Sequence, residues 1–420
     1  MTVPRLLYSL LLYLAAPLLL LRLLWRGRRQ RGYLRHIPER FGFYADAGRH
    51  RYLWLHAVSV GETRAVEPLV RALQVQYPQH RILLTHMTPT GRETGIGLFG
   101  DSVTRCYLPY DYPGATRRFL EHFRPEAGLL IETEVWPNLI AAAVSGGIPL
   151  HLINARLSER SLRGYRKVGA LACDALRGFS LIAAQTEADA ERLQSLKAAR
   201  VVVTGNLKFD VDPPVQQVAA GVELKQTLGG RPALLAASTR EGEEELLLDS
   251  VLHTGLSGAL LIIVPRHPQR FDAVAAMVAE RGFSMQRRSE GGVIDAATDV
   301  LLGDTMGEMF MYYAACDVVL MGGSFLSYGA HSLIEPCTVG KPVIIGPSTY
   351  NFAEATDAAV ASGAALRVGD VGQALTEALL LAGDAARCQK MGEAGLVFTA
   401  AHRGAVGRVL ELIRLRKISG

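Results

Sequence analysis

The sequence predicts two doubly wound α/β domains behind an N-terminal membrane anchor. The chain has 420 residues, more than one compact core usually holds, so two domains are expected. Short apolar runs alternate with helical patterns in both halves, which is typical of parallel sheets covered on both faces. The composition, 49% hydrophobic and 20% charged, excludes disordered, collagen-like and disulfide-stapled proteins.

The predicted anchor comes first. An apolar segment runs from Leu6 to Trp25 and is interrupted only by Arg22, which gives about 20 residues, just enough to cross a bilayer. A cleaved signal peptide is disfavoured because only Arg5 precedes the apolar stretch and no small-residue cleavage site follows it. A buried amphipathic helix is disfavoured because the segment is apolar on all sides. Residues 1–40 are therefore predicted to hold one uncleaved anchor, spanning the membrane or lying in one leaflet.

Positive charge is concentrated directly behind this anchor. Residues 1–40 contain eight arginines and one acid, whereas residues 41–420 carry a net charge of −2. Because the body is nearly neutral, a nucleic-acid partner is excluded. The positive-inside rule places the body in the cytoplasm, on the basis of the arginines that follow the apolar segment: Arg26, Arg28, Arg29, Arg31 and Arg35.

Strands and domain limits follow from the apolar runs. The predicted strands are 51–57, 81–87, 128–133, 149–154, 180–184 and 200–204 in the first half, and 232–237, 258–264, 300–303, 317–321, 342–346 and 364–368 in the second. The prolines at 213–214 and the glycines at 229–230 indicate a connection. The predicted divisions are a domain over 41–208, a linker over 209–231, a domain over 232–395 and a helix over 396–420.

Ligands of doubly wound sheets bind beyond the carboxyl ends of the strands, so the residues there are candidates. In the first half, Glu62 falls in the first turn of a helix, where it could be a general base for a hydroxyl or simply a cap. Glu132 and Glu134 need a cationic partner, in a site or in a structural salt bridge. Lys208 lies at the domain junction, where it could be a functional residue or simply a solvated lysine.

The second half has a comparable set. Between two prolines, Arg266 could bind a phosphate or form a surface ion pair. Glycines at 307 and at 322–323 would let backbone N–H groups approach an anion, or serve the turns alone. Glu335 could accept hydrogen bonds from ribose hydroxyls.

Cofactors and metals are not expected. The GxGxxG pattern at 95–100 does not follow a strand directly, so it does not indicate NAD. The histidines lack metal-ligand spacing, and the five cysteines form no CxxC pair, which indicates a reducing compartment without a structural zinc.

Motifs along nearly the whole chain resemble those of the Kdo transferase family of lipopolysaccharide biosynthesis, where Kdo is 3-deoxy-D-manno-octulosonic acid. They are His56-Ala57-Val58-Ser59-Val60-Gly61-Glu62, Leu108-Pro109-Tyr110-Asp111, Glu132-Thr133-Glu134-Val135-Trp136-Pro137-Asn138, Asn154-Ala155-Arg156-Leu157-Ser158, Gly205-Asn206-Leu207-Lys208-Phe209-Asp210, Pro265-Arg266-His267-Pro268 and Asn351-Phe352. The resemblance implies a GT-B fold, two Rossmann-like domains facing a cleft, with the acceptor bound by the first and CMP-Kdo by the second.

The resemblance also implies residue roles. Glu62 matches the general base, and Glu132 and Lys208 match residues that stabilise the transition state. The nucleotide site is implied to contain Pro265, Arg266, Met306, Gly307, Glu308, Ser332, Leu333, Ile334 and Glu335. This chain departs from the family at Ser332, where an asparagine is usual, which puts that contact with CMP in doubt.

The implied reaction is the inverting transfer of Kdo from CMP-Kdo to a lipid A precursor (lipid IVA), without metal or cofactor. The implied location is the cytoplasmic face of the inner membrane of a Gram-negative bacterium. Two alternatives are another membrane-associated GT-B enzyme that uses a UDP-sugar, and a catalytically silent protein that binds the membrane surface. The sequence leaves open how many Kdo residues are added.

Overall fold

The computed structural model describes residues 2–45, 48, 50–198 and 200–413, except for the side chain of Arg29. The described chain divides into two compact units. The first unit runs to Asp210 and is completed by the segment that begins at Arg403, and the second unit is Val211–His402. Residues 414–420 of the predicted C-terminal helix lie outside the described residues.

The N-terminal segment, predicted as one anchor, forms two helices, α1 (Val3–Leu14) and α2 (Ala16–Arg29). Pro17, in the first turn of α2, cannot donate the backbone hydrogen bond that would continue α1. Within the described residues no single helix is both long and apolar enough to cross a membrane. The two helices pass that test only together, across a bend of 51°.

Helix α1 is fastened to the first unit by polar contacts on one side. The Ser9 hydroxyl donates to Asn138 Oδ1 at 3.1 Å, and the Tyr112 hydroxyl donates to the Leu12 carbonyl at 3.2 Å. The leucines on its other side are exposed: Leu6, Leu7, Leu10, Leu11 and Leu14. Helix α1 therefore has one side that packs on the first unit through polar contacts and another side that is apolar and exposed to solvent.

The first unit contains a parallel sheet of seven strands in the order β3-β2-β1-β4-β5-β6-β7. The strands are β1 (Tyr52–His56), β2 (Arg81–His86), β3 (Val103–Tyr107), β4 (Ala127–Ile131), β5 (Leu150–Ala155), β6 (Leu181–Ala184) and β7 (Val201–Val203). The six predicted strands are confirmed and β3 was missed. As an edge strand it includes the polar Thr104 and Arg105, so it does not form a continuous apolar run.

Helices cover both faces of this sheet. Successive strand residues point to opposite faces, and both sets are apolar and must be buried. Trp54 and Leu130 pack on one face, whereas Leu55 and Leu129 pack on the other, and all four are fully buried. The helices are α3 (Val60–Ala65), α4 (Glu67–Gln76), α5 (Pro89–Phe99), α6 (Pro113–Phe123), α7 (Pro137–Ser145), α8 (Glu159–Lys167), α9 (Gly169–Arg177) and α10 (Glu187–Ser195). The GxGxxG pattern lies at the end of α5 rather than in a strand-to-helix turn.

The second unit also contains a parallel sheet of seven strands, in the order β10-β11-β9-β8-β12-β13-β14. The strands are β8 (Ala233–Thr239), β9 (Leu260–Pro265), β10 (Met285–Arg287), β11 (Val300–Leu302), β12 (Val318–Met321), β13 (Val343–Ile345) and β14 (Ala365–Arg367). The six predicted strands are again confirmed, and β10 was missed because it is a three-residue edge strand with two polar residues.

Helices of the second unit are α11 (Val215–Thr227), α12 (Glu243–Thr254), α13 (Phe271–Glu280), α14 (Met309–Ala315), α15 (Ile334–Thr338), α16 (Ala353–Ala361), α17 (Val371–Ala382) and α18 (Ala385–His402). The segment 209–231 thus includes a full helix. A Cβ on Gly221 would overlap the Met311 carbonyl, so α11 packs closely on α14.

The last described helix, α19 (Ala405–Leu412), belongs to the first unit. Where the sequence analysis places one helix over 396–420, the described residues form the end of α18 and then α19. Gly404 lies between them at φ +91°, in the left-handed region that ends a helix. The Asp210 carboxylate accepts the Gly404 and Val406 N–H groups, both at 2.5 Å, which fixes the start of α19.

Candidate active site

The first sheet has its switch point between β1 and β4. From β1 the strands are added first on one side, through β2 to β3, and then on the other side from β4. The carboxyl ends of the two strands at such a point border the crevice in which doubly wound sheets bind ligands. The chain places Glu62 just after β1, and Glu132 and Glu134 just after β4.

Glu62 is held in a fixed position by its own turn. Its Oε2 accepts the Val58 N–H at 2.7 Å, and its Oε1 accepts the Ser59 hydroxyl at 2.8 Å. Ser59 is the N-cap of α3 and also accepts the Glu62 N–H at 3.4 Å. Glu62 therefore stabilises the turn in which Ser59 caps the helix, and its role as a general base stays a prediction.

The pKa of Glu62 is raised to about 7, principally by burial and then by the negative charge of Glu132. Its hydrogen bonds from Val58 and Ser59 favour the carboxylate and limit the rise. A carboxyl group whose pKa lies near neutrality takes and releases a proton readily, as a general base requires.

Glu132 and Lys208 form an ion pair, with Lys208 Nζ at 2.9 Å from Glu132 Oε1. Each side chain is about a quarter exposed. Glu132 has φ +64°, a left-handed backbone that turns the chain sharply after β4. Lys208 lies in a short 3₁₀ turn. Its backbone N–H donates to Asn206 Oδ1 at 3.0 Å. The lysine at the domain junction is thus paired at the strand ends rather than simply solvated.

Glu134 has different partners from Glu132. It accepts the indole N–H of Trp136 at 2.7 Å, and its Oε2 lies 3.8 Å from His56 Nε2. Burial raises the pKa of Glu134 to about 7, and the charge of Glu132 adds to the effect. Burial lowers the pKa of His56 to about 3, so the imidazole is neutral and the contact is not an ion pair. Among the described residues, Glu134 is thus a half-buried carboxyl group without a cationic partner.

In the second unit, the predicted nucleotide residues lie at the carboxyl ends of neighbouring strands. Pro265 ends β9, and the Arg266 N–H that follows donates to the Thr239 carbonyl at 3.0 Å. Beyond β11, Met306 is exposed, Gly307 has φ +83°, and the Glu308 carboxylate accepts from Arg288 at 3.2 Å and from the Thr305 hydroxyl.

The segment 332–335 divides by exposure. Leu333 and Ile334 are fully buried, so their side chains belong to the core. Ser332 and Glu335 are half-buried, and Glu335 lies in the first turn of α15. Only these two side chains of the segment are accessible to a ligand.

The glycine turn after β12 does not hold its N–H groups free for a phosphate, as the sequence analysis allowed. The Gly323 N–H donates to Glu243 Oε2 at 2.7 Å, and the Phe325 N–H donates to Glu243 Oε1 at 3.0 Å. Glu243 is 2% exposed. The acceptor of these N–H groups is therefore a side chain of the protein itself.

Sequence reasoning missed two side chains at this corner, Arg240 and His331. Arg240 follows β8 directly, and His331 lies close to Gly323, where an added Cβ would be 3.3 Å from its Nε2. The rule that selected Arg266 would also have found Arg240, because it comes three residues after the predicted strand 232–237. His331 stood within a recognised segment, but sequence spacing does not show a close approach across a turn.

Comparison with solved structures shows the fold. A glycosyltransferase from Rickettsia africae ESF-5 superposes with a TM-score of 0.58 at 11% identity, covering 87% of this chain and 98% of that one. That likeness concerns the fold, which is a GT-B architecture of two Rossmann-like units.

The family follows from sequence. A family model described as 3-deoxy-D-manno-octulosonic-acid transferase (kdotransferase) matches residues 35–211. The 3-deoxy-D-manno-octulosonic acid transferase of Bordetella pertussis is 46% identical over 97% of this chain and 98% of that protein. The protein of the same name from Haemophilus influenzae is 37% identical over 98% of each chain. The chain belongs to the 3-deoxy-D-manno-octulosonic acid transferase family, which confirms the resemblance seen in the sequence.

Proposed function

We propose that this protein transfers Kdo from CMP-Kdo to a hydroxyl group of a lipid A precursor (lipid IVA), with Glu62 as the general base. The observation that supports this most strongly is the setting of Glu62. It is a carboxyl group fixed by two hydrogen bonds at the switch point of the first sheet, with its pKa raised to about 7.

A single displacement accounts for the chemistry. A sugar hydroxyl of the acceptor attacks the ketosidic carbon of CMP-Kdo and gives its proton to the Glu62 carboxylate. The new C–O bond forms while the bond from that carbon to the phosphate oxygen breaks, and CMP leaves with the electron pair. One displacement inverts the configuration at the carbon. A positioned general base contributes typically ~10²–10⁴-fold to such a step.

Glu132 and Lys208 are proposed to stabilise the transition state. Their ion pair places one positive charge at the strand ends that carry Glu62 and Glu134. Lys208 Nζ can offer a hydrogen bond to negative charge on the donor while Glu132 fixes its position. Lys208 would thus make the contact with the donor, and Glu132 would hold Lys208 in position.

The second unit is proposed to bind the CMP part of the donor. Arg266 would bind the phosphate, and the half-buried Glu335 carboxylate would accept from the ribose hydroxyls. Pro265 and the backbone of residues 306–308 and 332–334 would shape the base and ribose pocket. Met306 is 60% exposed and so can be covered by a ligand.

The location is proposed to be the cytoplasmic face of the inner membrane of a Gram-negative bacterium. The exposed leucines of α1 and the arginines at the end of α2 support it, because an apolar face followed by arginines suits an anionic lipid surface. A lipid acceptor would be met at that surface by the unit that carries Glu62. The first unit is accordingly proposed to bind the acceptor.

A transfer assay tests the function. Purified protein with CMP-Kdo and lipid IVA in detergent should release CMP and yield a lipid heavier by one or more Kdo residues, counted by mass spectrometry. CMP, and not UDP, should protect the protein against thermal unfolding. Absence of transfer together with protection by UDP would overturn the proposal in favour of a UDP-sugar enzyme.

A further inference from the structure

Three basic side chains follow three adjacent strands of the second sheet. Strands β9, β8 and β12 are neighbours, with the switch point between β8 and β12. Arg266 follows β9, Arg240 follows β8, and His331 returns to the glycine turn after β12. The three side chains therefore belong to the ligand-binding edge of the sheet.

Close backbone packing brings two of these turns together. A Cβ on Gly322 would lie 2.5 Å from the Ser238 carbonyl oxygen, so the end of β12 touches the turn that leads to Arg240. The His331 N–H donates to the Gly322 carbonyl at 3.2 Å, which fixes the histidine against the same glycine. Burial and then the positive charges of Arg266 and Arg240 lower the pKa of His331 to about 4. The imidazole is thus neutral.

Three backbone N–H groups at this corner already have an acceptor, the Glu243 carboxyl group. Besides Gly323 and Phe325, the Arg240 N–H donates to Glu243 Oε2 at 2.9 Å. A ligand anion would therefore meet side chains here rather than these three N–H groups.

The Arg240 guanidinium lacks a carboxylate partner in the described part of the chain. Its contact is with the Tyr328 ring, 4.5 Å from the guanidinium carbon to the ring centroid. By contrast Arg270, on the next turn, is held by both oxygens of Glu244 at 2.6 and 2.9 Å. The buried Nε2 of His331 has no hydrogen-bond partner among the residues that the structure describes. A cation positioned on a ring and an unsatisfied imidazole nitrogen are both available to a ligand.

We propose that Arg240 binds the carboxylate of the donor's sugar acid, with neutral His331 as a hydrogen-bonding partner, while Arg266 binds the phosphate. This inference rests on the proposed function and adds the group that recognises the sugar. CMP-Kdo carries two anionic groups on the same ketosidic carbon, a phosphodiester and a carboxylate. Two arginines after adjacent strands match that pair of charges, and a guanidinium binds a carboxylate in a bidentate fork.

The arrangement also accounts for donor selectivity. A nucleotide sugar without a carboxylate would leave Arg240 desolvated and unpaired, which opposes its binding. A neutral His331 adds a polar contact without placing a third positive charge beside the two arginines. CMP alone, the product, makes the Arg266 contact and not the Arg240 contact, so product is held less tightly than donor.

Equilibrium binding without acceptor tests the inference independently of transfer. Calorimetry on the full-length protein in detergent should show that wild type binds CMP-Kdo more tightly than CMP. Arg240→Gln should weaken CMP-Kdo binding about tenfold or more and change CMP binding less than about twofold. Arg240→Lys should keep part of the difference in affinity between CMP-Kdo and CMP, because lysine keeps the positive charge but cannot form a bidentate pair with a carboxylate.

Arg387→Gln is the matched control, since Arg387 forms an exposed ion pair with Glu377 away from this corner. Protection of Arg240→Gln by CMP against thermal unfolding shows that the variant is folded. Equal losses of CMP and CMP-Kdo binding would make Arg240 a phosphate contact, and unchanged CMP-Kdo binding would remove it from the site. Either result overturns the inference and leaves the transfer assay as a separate test of the proposed function.

Discussion

At the switch point of the first sheet, three glutamates lie near a single lysine, whereas the same point of the second sheet carries two arginines and a neutral histidine. Both sheets are parallel, and each builds one side before the other. The first corner is therefore suited to holding a proton and the second to holding an anion. The two corners show that one fold supplies the place for a site, and the residues after the strands supply its chemistry.

The two corners also treat their buried carboxyl groups differently. Glu243 in the second unit is 2% exposed, and burial raises its pKa while backbone N–H groups of the glycine turn favour its carboxylate. Glu62 in the first unit receives two hydrogen bonds, and yet burial and the neighbouring charge of Glu132 keep its pKa high. Glu62 is half-buried whereas Glu243 is fully buried, so proton transfer is proposed for the first corner, and changing its residues should sharpen the contrast.

The largest effect is expected from Glu62→Gln. Glutamine keeps the bonds to Val58 and Ser59 but cannot accept the acceptor's proton, so kcat should fall by ~10²–10⁴-fold. The measurement is CMP release under saturating donor and acceptor. CMP binding, which is proposed for the second unit, should equal that of wild type. A variant with near-normal kcat would mean that Glu62 serves only as a helix cap.

Lys208→Met should have the next largest effect. It leaves Glu132 without its counterion, and the uncompensated negative charge should raise the pKa of Glu62 further. We expect kcat to fall by roughly 10²-fold. The acid side of the rate profile should also move to higher pH. Glu132→Gln with Lys208 retained is the paired control, and its acid limb should move to lower pH. If both variants moved the limb in the same direction, the electrostatic explanation would be wrong.

A smaller change is expected from Ser59→Ala. The alanine removes the hydroxyl that donates to Glu62 Oε1, and that hydrogen bond favours the carboxylate. The midpoint of the acid limb should rise by about half to one pH unit, while the plateau at alkaline pH stays close to wild type. Ser59→Thr, which keeps the hydroxyl, should keep the wild-type midpoint.

The smallest effect is expected from Glu134→Gln, measured as stability rather than rate. The pKa of Glu134 is raised in the folded protein, so its stabilising contribution is full below pH 4.5 and is lost as pH rises through about 7. The glutamine variant keeps an acceptor for Trp136 and carries no charge. Its thermal midpoint should exceed that of wild type by a few degrees at pH 8 and match it at pH 4.5. Equal midpoints at both pH values would show that Glu134 is not destabilised by ionisation.

Sequence patterns could predict twelve of the strands, including the edge strands β7 and β14, but not the edge strands β3 and β10. Parallel strands such as β1 and β9 are apolar on both faces and form continuous runs, but β3 and β10 lie at edges and alternate with polar residues. The bend between α1 and α2 could have been predicted from Pro17, although composition favoured one span. Periodicity reports burial, and burial is weakest at edges and ends.

The site shows the same limit. Position after a strand selected Glu62, Glu132 and Arg266, since the carboxyl ends of parallel strands meet at one edge. The pairing of Lys208 with Glu132 and not Glu134 depends on the left-handed turn at Glu132, which no spacing rule specifies. The hydrogen bond from the Gly323 N–H to Glu243 joins residues 80 positions apart in the sequence. Such contacts arise from tertiary packing alone.

The pH dependence of kcat/KM for the acceptor tests the central claim, that Glu62 is a general base with a raised pKa, most directly. The claim predicts a rate that rises with a one-proton slope, reaches half its limit near pH 7, and then stays level. Because Glu134 has a similar pKa, the same limb should persist in Glu134→Gln. A profile that is flat from about pH 5.5 to 8, or a limb that disappears in Glu134→Gln, would contradict it.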